Sequence, residues 1–379
     1  MRETCRRLMA LIPIFLAAPS WAQVPPGTPE NPIGSRMRHH VATLATGLAH
    51  PWSLVFLPDG SALITERSGG LRAFREGKLD PKPLPGLPAA YVDGDGGLLG
   101  LALHPQFAAN HQLYVCMSMG TAEANGSAVV VARYGDDRVT DARVIFQAKP
   151  LKKGNAHFGC RLLFAPDDTL LVTLGEGFDY RDQAQALDSD LGKIVRITDT
   201  GAIPKDNPFI GRANARPEIY TLGDRHVQGI ALRPGTKDIW FHEHGPRGGD
   251  EINVLKPGAN YGWPIVTFGI DYSGEQIAEH TAQPGMEPPL FYLVPSIAPS
   301  GMEFYTGDRF PEWRGDLFVG GLAARALYRF DIEGDRIVGQ EILLAGLKER
   351  IRDVRTGPDG FLYVLTDSDD GKLLRIEKP

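Results

Sequence analysis

Six polar, glycine-rich segments are the parts of this 379-residue sequence best equipped for chemistry. They combine histidines, carboxylates, amides and arginines, and they cover residues 93–100, 155–162, 222–229, 243–253, 260–264 and 350–355. Histidine can act as a base near neutral pH, and the planar guanidinium of arginine binds carboxylates bidentately and stacks on flat rings. Taken singly, each segment is equally typical of a turn or a solvated charge cluster. A shared site requires a fold that brings them together.

Several common catalytic motifs are missing from the sequence. It contains no G-x-S-x-G elbow, no H-E-x-x-H, no Walker loop and no G-x-G-x-x-G after a strand. Serine-esterase chemistry and nucleotide cofactors therefore have no support. His242 and His244 would point to one face of a strand, but a pair without a third ligand is a weak indication of a transition metal.

A repeated turn-and-strand unit indicates the fold that positions these segments. Six times, roughly 45 to 80 residues apart, a turn containing Pro, Asp or Gly precedes a short β-rich strand. The strands lie at 62–65, 113–115, 170–173, 239–241, 317–319 and 362–364. The pattern predicts an all-β fold, a six-bladed β-propeller with four-stranded antiparallel blades. A β-sandwich with coincidental turn similarity is the alternative. In a propeller, residues distant in sequence share one axial face.

The N-terminus is typical of an exported protein. Arg2, Arg6 and Arg7 precede an apolar run at 8–18, so residues 1–22 are predicted to be a signal peptide cut after Ala22. The prediction places the mature protein in the periplasm or outside the cell. A membrane anchor is the alternative, although the run is shorter than the ~20 residues that span a bilayer.

The remainder of the chain divides simply. Residues 23–39 are rich in Pro and Gly and are expected to form an arm or linker, and residues 40–379 a single propeller domain. A formal net charge of −6 without a basic stripe argues against nucleic-acid binding, and no later stretch is long enough to span a membrane. Cys116 and Cys160 either pair in an oxidising compartment or remain as buried thiols.

Taken together and in order, the polar segments resemble those of the soluble quinoprotein glucose and aldose sugar dehydrogenases. The resemblance runs from about Leu44 to Ile376 and is most specific at 245–264 and 350–360. It implies a propeller that binds pyrroloquinoline quinone (PQQ) and calcium on its axis. The implied reaction oxidises an aldose at C1 to the lactone, with hydride transfer to the quinone. Electrons then pass to an external acceptor such as a cytochrome or a quinone.

The resemblance also assigns roles to residues. His157 matches the general base and Glu176 the carboxylate that orients it. The carbonyls of Gly245 and Pro246 match ligands of the catalytic calcium, and Glu251 with the Tyr261 carbonyl match a structural calcium site. Residues expected at the cofactor are Asp95, Arg225, His226, Gln228, Tyr272, Ser296, Ala323, Arg325, Arg350 and Arg352. Without the resemblance, His157 and Glu176 are equally typical of strand ends, and Asp250 with Glu251 of a solvated acidic pair.

Three positions depart from the family pattern in ways that affect the cofactor. Asp95 stands where a glutamine is common, His226 replaces an asparagine, and Ala323 stands where a lysine is often found, although Arg325 could supply that charge. These changes bear on cofactor affinity and leave the fold untouched. Two other functions therefore stay open: a calcium-dependent propeller lactonase or other hydrolase, and a non-enzymatic binding propeller that has lost its cofactor.

Overall fold

The structure, a computed structural model, describes residues 33–34, 39–135 and 137–379. The predicted signal peptide and most of the predicted arm lie outside these residues. The described part contains 24 strands, one short α-helix, α1 (Phe107–Asn110), and 3-10 turns at Arg181–Gln185, Pro311–Trp313 and Ala345–Leu347. The all-β prediction is confirmed. Among the described helices, none has the length and apolar character that crossing a membrane requires.

The strands are short, as the many turn residues demand. In chain order they are β1 (Ile33–Gly34), β2 (His40–Leu48), β3 (Pro51–Phe56), β4 (Ala62–Glu66), β5 (Leu71–Arg75), β6 (Lys78–Leu79), β7 (Leu98–Leu103), β8 (Gln112–Thr121), β9 (Ala124–Gly135), β10 (Arg138–Gln147), β11 (Leu162–Phe164), β12 (Leu170–Thr173), β13 (Ile194–Ile197), β14 (Val227–Leu232), β15 (Ile239–Glu243), β16 (Asp250–Val254), β17 (Phe291–Leu293), β18 (Pro299–Phe304), β19 (Leu317–Gly321), β20 (Ala326–Glu333), β21 (Arg336–Leu343), β22 (Ile351–Thr356), β23 (Leu362–Thr366) and β24 (Gly371–Glu377).

These strands form six antiparallel blades, which confirms the predicted propeller. Blades 1 to 6 consist of β3–β6, β7–β10, β11–β13, β14–β17, β18–β21 and β22–β24 with β2. Blade 3 has three strands, and a single bridge between Val195 and Ile219 stands where a fourth would pair. Proline cannot donate to a strand ladder, and Pro217 lies two residues before that bridge. Blade 5 gains the parallel strand β1 from the predicted arm.

An early and a late strand of the chain close the ring within blade 6. Strand β2 pairs antiparallel with the C-terminal strand β24, with Val41 opposite Ile376. The first strands of successive blades, β3, β7, β11, β14, β18 and β22, contact one another in turn, and β22 returns to β3. These innermost strands surround the axis. The six repeated units of the sequence are the second strands, β4, β8, β12, β15, β19 and β23.

The core lies between the facing sheets of neighbouring blades. Six apolar clusters fill these boundaries, and each fully buried large side chain contributes about 1.5–3 kcal/mol. In the cluster between blades 2 and 3, Cys116 of β8 forms a disulfide with Cys160, two residues before β11. The Cα atoms are 5.3 Å apart. Of the two alternatives for these cysteines, the structure therefore has the pair.

A buried ion pair crosses the axis beneath the polar segments. Arg161 donates from Nη1 to Asp353 Oδ1 at 2.9 Å and from Nε to the Gln228 carbonyl at 2.8 Å. Its guanidinium lies 4.0 Å from the ring centroid of Trp52, and Asp353 also accepts the backbone N–H of Leu54 at 2.9 Å. One arginine thus connects blades 3, 4, 6 and 1. These contacts hold together the first strands of the blades that carry the candidate site.

Candidate active site

The predicted site residues cluster at one end of the axis because of strand polarity. His157, Arg225, Ser296 and Arg350 lie just before the innermost strands of blades 3, 4, 5 and 6. Glu176 follows the second strand of blade 3. Neighbouring strands run antiparallel, so the start of a first strand and the end of a second strand share one end of a blade. Asp95, His244, Gly245 and Ala323 occupy equivalent positions.

His157 and Glu176 form a buried pair. Nδ1 of His157 lies 3.2 Å from Oε1 of Glu176, and the two residues are 8% and 1% exposed. The backbone of His157 is in the left-handed region, with φ of +54°, and its N–H donates to Oδ2 of Asp95 at 3.2 Å. A Cβ at Gly175 would lie 2.2 Å from the His157 carbonyl oxygen, so the close approach of the two segments requires glycine there.

A row of three histidine rings extends from His157. The ring centroids of His157 and His226 are 4.5 Å apart, and those of His226 and His244 are 5.1 Å apart. Nε2 of His244 bonds to the carbonyl oxygen of Pro299 and so carries a proton. Burial, and after it the neighbouring cationic groups, lowers the pKa of His226 well below its usual range. Burial likewise lowers the pKa of His244, so both rings are neutral near pH 7.

The guanidinium of Arg225 contacts the first residues of the loop that follows β15. Its Nη1 donates to the carbonyl oxygens of His244 and Gly245, each at 3.0 Å, and its guanidinium lies 5.1 Å from the Trp263 ring centroid. Within the described chain, its buried Nε has no hydrogen-bond partner. Gln228 lies beside His226, with its amide nitrogen 2.6 Å from Nε2. Arg225 therefore offers a desolvated donor to an anionic ligand.

Arg350 and Arg352 share one carboxylate. Arg352 donates to Oδ2 of Asp367 at 2.8 Å and Arg350 at 3.2 Å, while the other oxygen of Asp367 lies 2.8 Å from Nδ1 of His50. Burial alone would raise the pKa of Asp367, but Arg352, the hydrogen bond with His50, and Arg350 outweigh it and hold the pKa well below its usual range. The buried Nε of Arg352 is another donor with no partner among the described residues.

Gly245 and Pro246 are buried, and the loop that carries them is held by Asp250. This carboxylate accepts the N–H of Gly245 at 2.9 Å, the N–H of Ile297 at 2.7 Å and the hydroxyl of Ser296 at 2.8 Å. Burial raises the pKa of Asp250 to about 7. Ser296 therefore supports this loop. The reading of Asp250 and Glu251 as a solvated acidic pair is wrong, because both are buried.

Glu251 of β16 and Tyr261, in the loop between β16 and β17, line a small cavity of about 220 Å³. Burial raises the pKa of Glu251 to about 8, and its carboxylate accepts a hydrogen bond from the Asn253 amide at 3.3 Å. A cation here would offset the desolvation of the carboxylate. Across the described residues, no group of three His, Cys, Asp or Glu side chains is arranged to hold a metal.

Three other predicted cofactor residues lie further out. Tyr272 is 57% exposed at the rim of the site. Ala323 and Arg325 are exposed in the turn between β19 and β20, and the carbonyl of Leu322 lies 3.5 Å from Nη1 of Arg350. Among the described residues, the Arg325 side chain forms no hydrogen bond or ion pair with the rest of the site. The role of Arg325 as a replacement for the lysine that is often found at position 323 therefore stays a prediction.

Sequence reasoning missed a cation, Lys152, beside the His157–Glu176 pair. It is 3% exposed, and its Nζ lies 4.0 Å from the Phe158 ring centroid and 3.4 Å from the Asn125 Oδ1 and Gly154 O atoms. Burial lowers the pKa of Lys152 to about 8, against the attraction of Asp95 and Glu176. Its neighbourhood, a loop with two consecutive lysines, looks solvated in sequence. Only its position five residues before His157 was a signal.

Comparison with known proteins identifies the class to which this fold and site belong. The family model of glucose/sorbosone dehydrogenases matches residues 48–375. The aldose sugar dehydrogenase YliI of Escherichia coli K12 is 45% identical over 343 residues, which cover 89% of this chain and 92% of that protein. The crystal structure of the apo-form of the E. coli soluble aldose sugar dehydrogenase is 44% identical with a TM-score of 0.88, and covers 90% of this chain and 100% of that one. A PQQ-bound aldose sugar dehydrogenase from Streptomyces coelicolor is 27% identical with a TM-score of 0.73, and covers 90% of this chain and 99% of that one.

The fold and these relatives therefore define the protein as a β-propeller oxidoreductase. The chain belongs to the glucose/sorbosone dehydrogenase family. The predicted resemblance to the quinoprotein sugar dehydrogenases is confirmed at this level.

Proposed function

We propose that this protein oxidises aldose sugars at C1 to the lactone, with PQQ and Ca²⁺ bound at the axial end described above. The observation that carries the proposal is the His157–Glu176 pair at 3.2 Å, near buried arginines whose Nε donors have no partner among the described residues. An oxidised sugar must lose a hydride from C1 and a proton from the C1 hydroxyl. A base can take the proton, and arginine side chains beside it can hold an anionic cofactor that takes the hydride.

The residues present fit the cofactor. PQQ carries three carboxylates, and Arg225, Arg350 and Arg352 would hold them through guanidinium hydrogen bonds. The Nε atoms of Arg225 and Arg352 support this assignment, because they have no partner within the described part of the chain and buried donors are normally satisfied. The carbonyls of Gly245 and Pro246 would hold the calcium. When bound, PQQ supplies a quinone that accepts the hydride, and Ca²⁺ polarises its carbonyl as a Lewis acid.

The hydrogen bond to Glu176 determines which nitrogen of His157 can accept the proton. Nδ1 faces Glu176, so in the neutral ring Nδ1–H donates to the carboxylate and Nε2 keeps its lone pair. Nε2 is then the atom that takes the proton from the C1 hydroxyl. Glu176 stabilises the resulting imidazolium and fixes the ring orientation. The neutral rings of His226 and His244 add no positive charge next to the base.

Two features support a reaction that takes place outside the cytoplasm. The predicted signal peptide at 1–22 and the Cys116–Cys160 disulfide are both typical of an oxidising compartment outside the cytoplasm. We propose that the electrons leave to an external acceptor there. A calcium-dependent hydrolase would need several side-chain carboxylates around one metal, and the described residues offer no such group.

The test uses the mature protein reconstituted with PQQ and Ca²⁺. We expect dye reduction with glucose, xylose and maltose, release of the lactone, and loss of the reaction in His157→Ala. His40→Ala, at an exposed strand end, is the matched control. Failure to take up PQQ in an absorbance titration would contradict the proposal and favour a non-enzymatic binding propeller.

A further inference from the structure

Residues 157–160, which we call the base segment, begin with the candidate base and end in the disulfide to blade 2. Three of the four residues, His157, Gly159 and Cys160, have φ in the left-handed region, at +54°, +70° and +76°. Glycine adopts this conformation freely, but for residues with a Cβ it is costly. Such costs persist only where the surrounding structure enforces them. The conformation that presents His157 therefore depends on restraints around the base segment.

Blade 2 supplies restraints to the middle and to the end of the base segment. The hydroxyl of Ser127, on β9, donates to the carbonyl oxygen of Phe158 at 2.6 Å. Cys160 is bonded to Cys116 of β8, and both cysteines are fully buried. The disulfide thus ties the loop of one blade covalently to a strand of its neighbour, three residues from His157.

The surroundings of Cys160 favour a single backbone conformation. Its N–H donates to the carbonyl oxygen of Thr173, on β12, at 2.6 Å. On its other side, a Cβ at Gly100 of β7 would lie 2.0 Å from the Cys160 carbonyl oxygen. A rotation about φ to the ordinary negative range would displace one of these two backbone groups. The site thus requires a left-handed residue at position 160, although the residue there is a cysteine.

We propose that Cys116 and Cys160 are positioning residues for His157: their disulfide holds Cys160 in the left-handed conformation that directs the base segment towards Glu176. Without the bond, a side chain at position 160 favours negative φ, and the base segment populates conformations in which Nδ1 of His157 does not face Glu176. The carboxylate then no longer fixes the tautomer, and Nε2 loses its role as the proton acceptor. This inference rests on the proposed function and deepens it, because the two cysteines act on its base through the backbone.

Two double variants separate positioning from stability. Cys116→Ala with Cys160→Ala, the alanine pair, removes the bond and keeps a Cβ at a position where φ is +76°. Cys116→Ala with Cys160→Gly, the glycine pair, removes the bond and adopts that φ without steric cost. Both pairs lose the crosslink, so we expect Tm to fall below the wild-type value in both. If the alanine pair does not fold, Cys116→Ala alone, which leaves the left-handed Cys160 without its bond, takes its place.

The first readout needs no cofactor. In the cofactor-free protein, ¹⁵N NMR of the histidine rings reports the tautomer of His157, with His157→Gln to assign its signal, and deuterium exchange reports the amides of the base segment. We expect the Nδ1–H tautomer in the wild type and in the glycine pair. In the alanine pair we expect mixed tautomers and about tenfold faster exchange. Leu170→Ala, in the same apolar cluster at the end of β12 remote from Glu176, is the matched control and is expected to lower Tm alone.

Kinetics of the reconstituted enzyme give a second readout. We expect kcat to fall about tenfold in the alanine pair and to stay within about twofold of the wild type in the glycine pair, with PQQ affinity unchanged in both. Equal kcat, tautomer and exchange in all three proteins would overturn the inference, since the disulfide would then only stabilise the fold. An equal loss in both pairs would also overturn it, because the crosslink and not the backbone conformation would matter. A wild type that oxidises no sugar would contradict the proposed function, while NMR and exchange would still decide the role of the disulfide.

Discussion

Glu176 directs one carboxylate oxygen at Nδ1 of His157, 3.2 Å away, and its second oxygen is buried without a partner in the described chain. We predict that Glu176→Gln, which keeps the volume and removes the charge, lowers kcat about 100-fold, because the imidazolium loses its stabilising anion. Steady-state dye reduction measures the rate, and a PQQ titration is expected to show unchanged affinity.

The exposed Glu123 offers a control for that experiment, since Glu123→Gln changes the same charge at a surface ion pair with Lys153. Wild-type kcat in Glu176→Gln would show that the carboxylate is not the orienting group. A loss of PQQ affinity without a loss of kcat would instead make Glu176 a cofactor residue.

Lys152 carries a buried positive charge. We expect this charge to favour PQQ binding and to lower the stability of the folded protein. Its folded-state pKa of about 8 is below the ordinary 10.5, so the unfolded chain binds this proton more tightly. This contribution to stability is therefore complete above pH 10.5 and is lost as the pH falls through about 8. We predict that Lys152→Met raises Tm at pH 7, and that its advantage over the wild type narrows as the pH rises from 8 towards 10.

The same substitution is expected to weaken PQQ binding, because Asp95 and Glu176 lose their nearby cation while the cofactor brings further negative charge. Lys153→Met is the matched control, since the Lys153 side chain is 71% exposed and pairs with Glu123. Calorimetric melting at several pH values and a PQQ titration measure the two effects. A lower Tm in Lys152→Met at pH 7, or unchanged PQQ affinity, would contradict the prediction.

Asp367 positions Arg350 and Arg352, and its pKa is held well below the usual range by Arg352, His50 and Arg350 despite burial. A carboxyl whose folded-state pKa is depressed adds stability above its ordinary pKa of about 3.9, and that stability is lost as the pH falls further. We predict that Asp367→Asn lowers the urea midpoint at pH 7, and that the difference from the wild type shrinks below pH 4. PQQ affinity is expected to fall about tenfold or more, because both guanidinium groups lose their orientation.

Asp369→Asn separates this effect from a general loss of acidic charge. The Asp369 side chain is fully exposed and contacts only the outer nitrogen of His50 among the ion pairs of the described chain. Its urea midpoint and PQQ affinity are expected to match the wild type. An equal effect of the two variants would contradict a specific role for Asp367.

The sequence predicted what depends on local pattern, and it missed what depends on the assembled ring. The six turn-and-strand units are visible because each second strand follows a turn rich in Pro, Asp or Gly, and strand polarity then places His157, Arg225 and Arg350 together. By contrast, the burial of Lys152 arises where the blade 2 and blade 3 loops meet, and no local pattern marks it. The sequence leaves the pairing of Cys116 with Cys160 open, because a disulfide requires a Cα distance that only the packed blades define.

Arg161 and Asp353 form the buried ion pair beneath the site, with both side chains nearly inaccessible to solvent. Removing Asp353 deprives the buried Arg161 of its counter-ion, and removing Arg161 leaves Asp353 with the longer ion pair to Arg355 at 3.4 Å. Either change also leaves several hydrogen-bonding groups unpaired. We predict that Arg161→Met destabilises the protein by about 3–5 kcal/mol, and that Asp353→Leu has a similar effect. The double variant is expected to recover part of this loss, because the paired apolar side chains bury no charge. Arg309→Met, at an exposed arginine, is expected to cost less than about 1 kcal/mol. Urea unfolding of the four variants measures these energies, and additive losses in the double variant would show that the pair does not act as a unit.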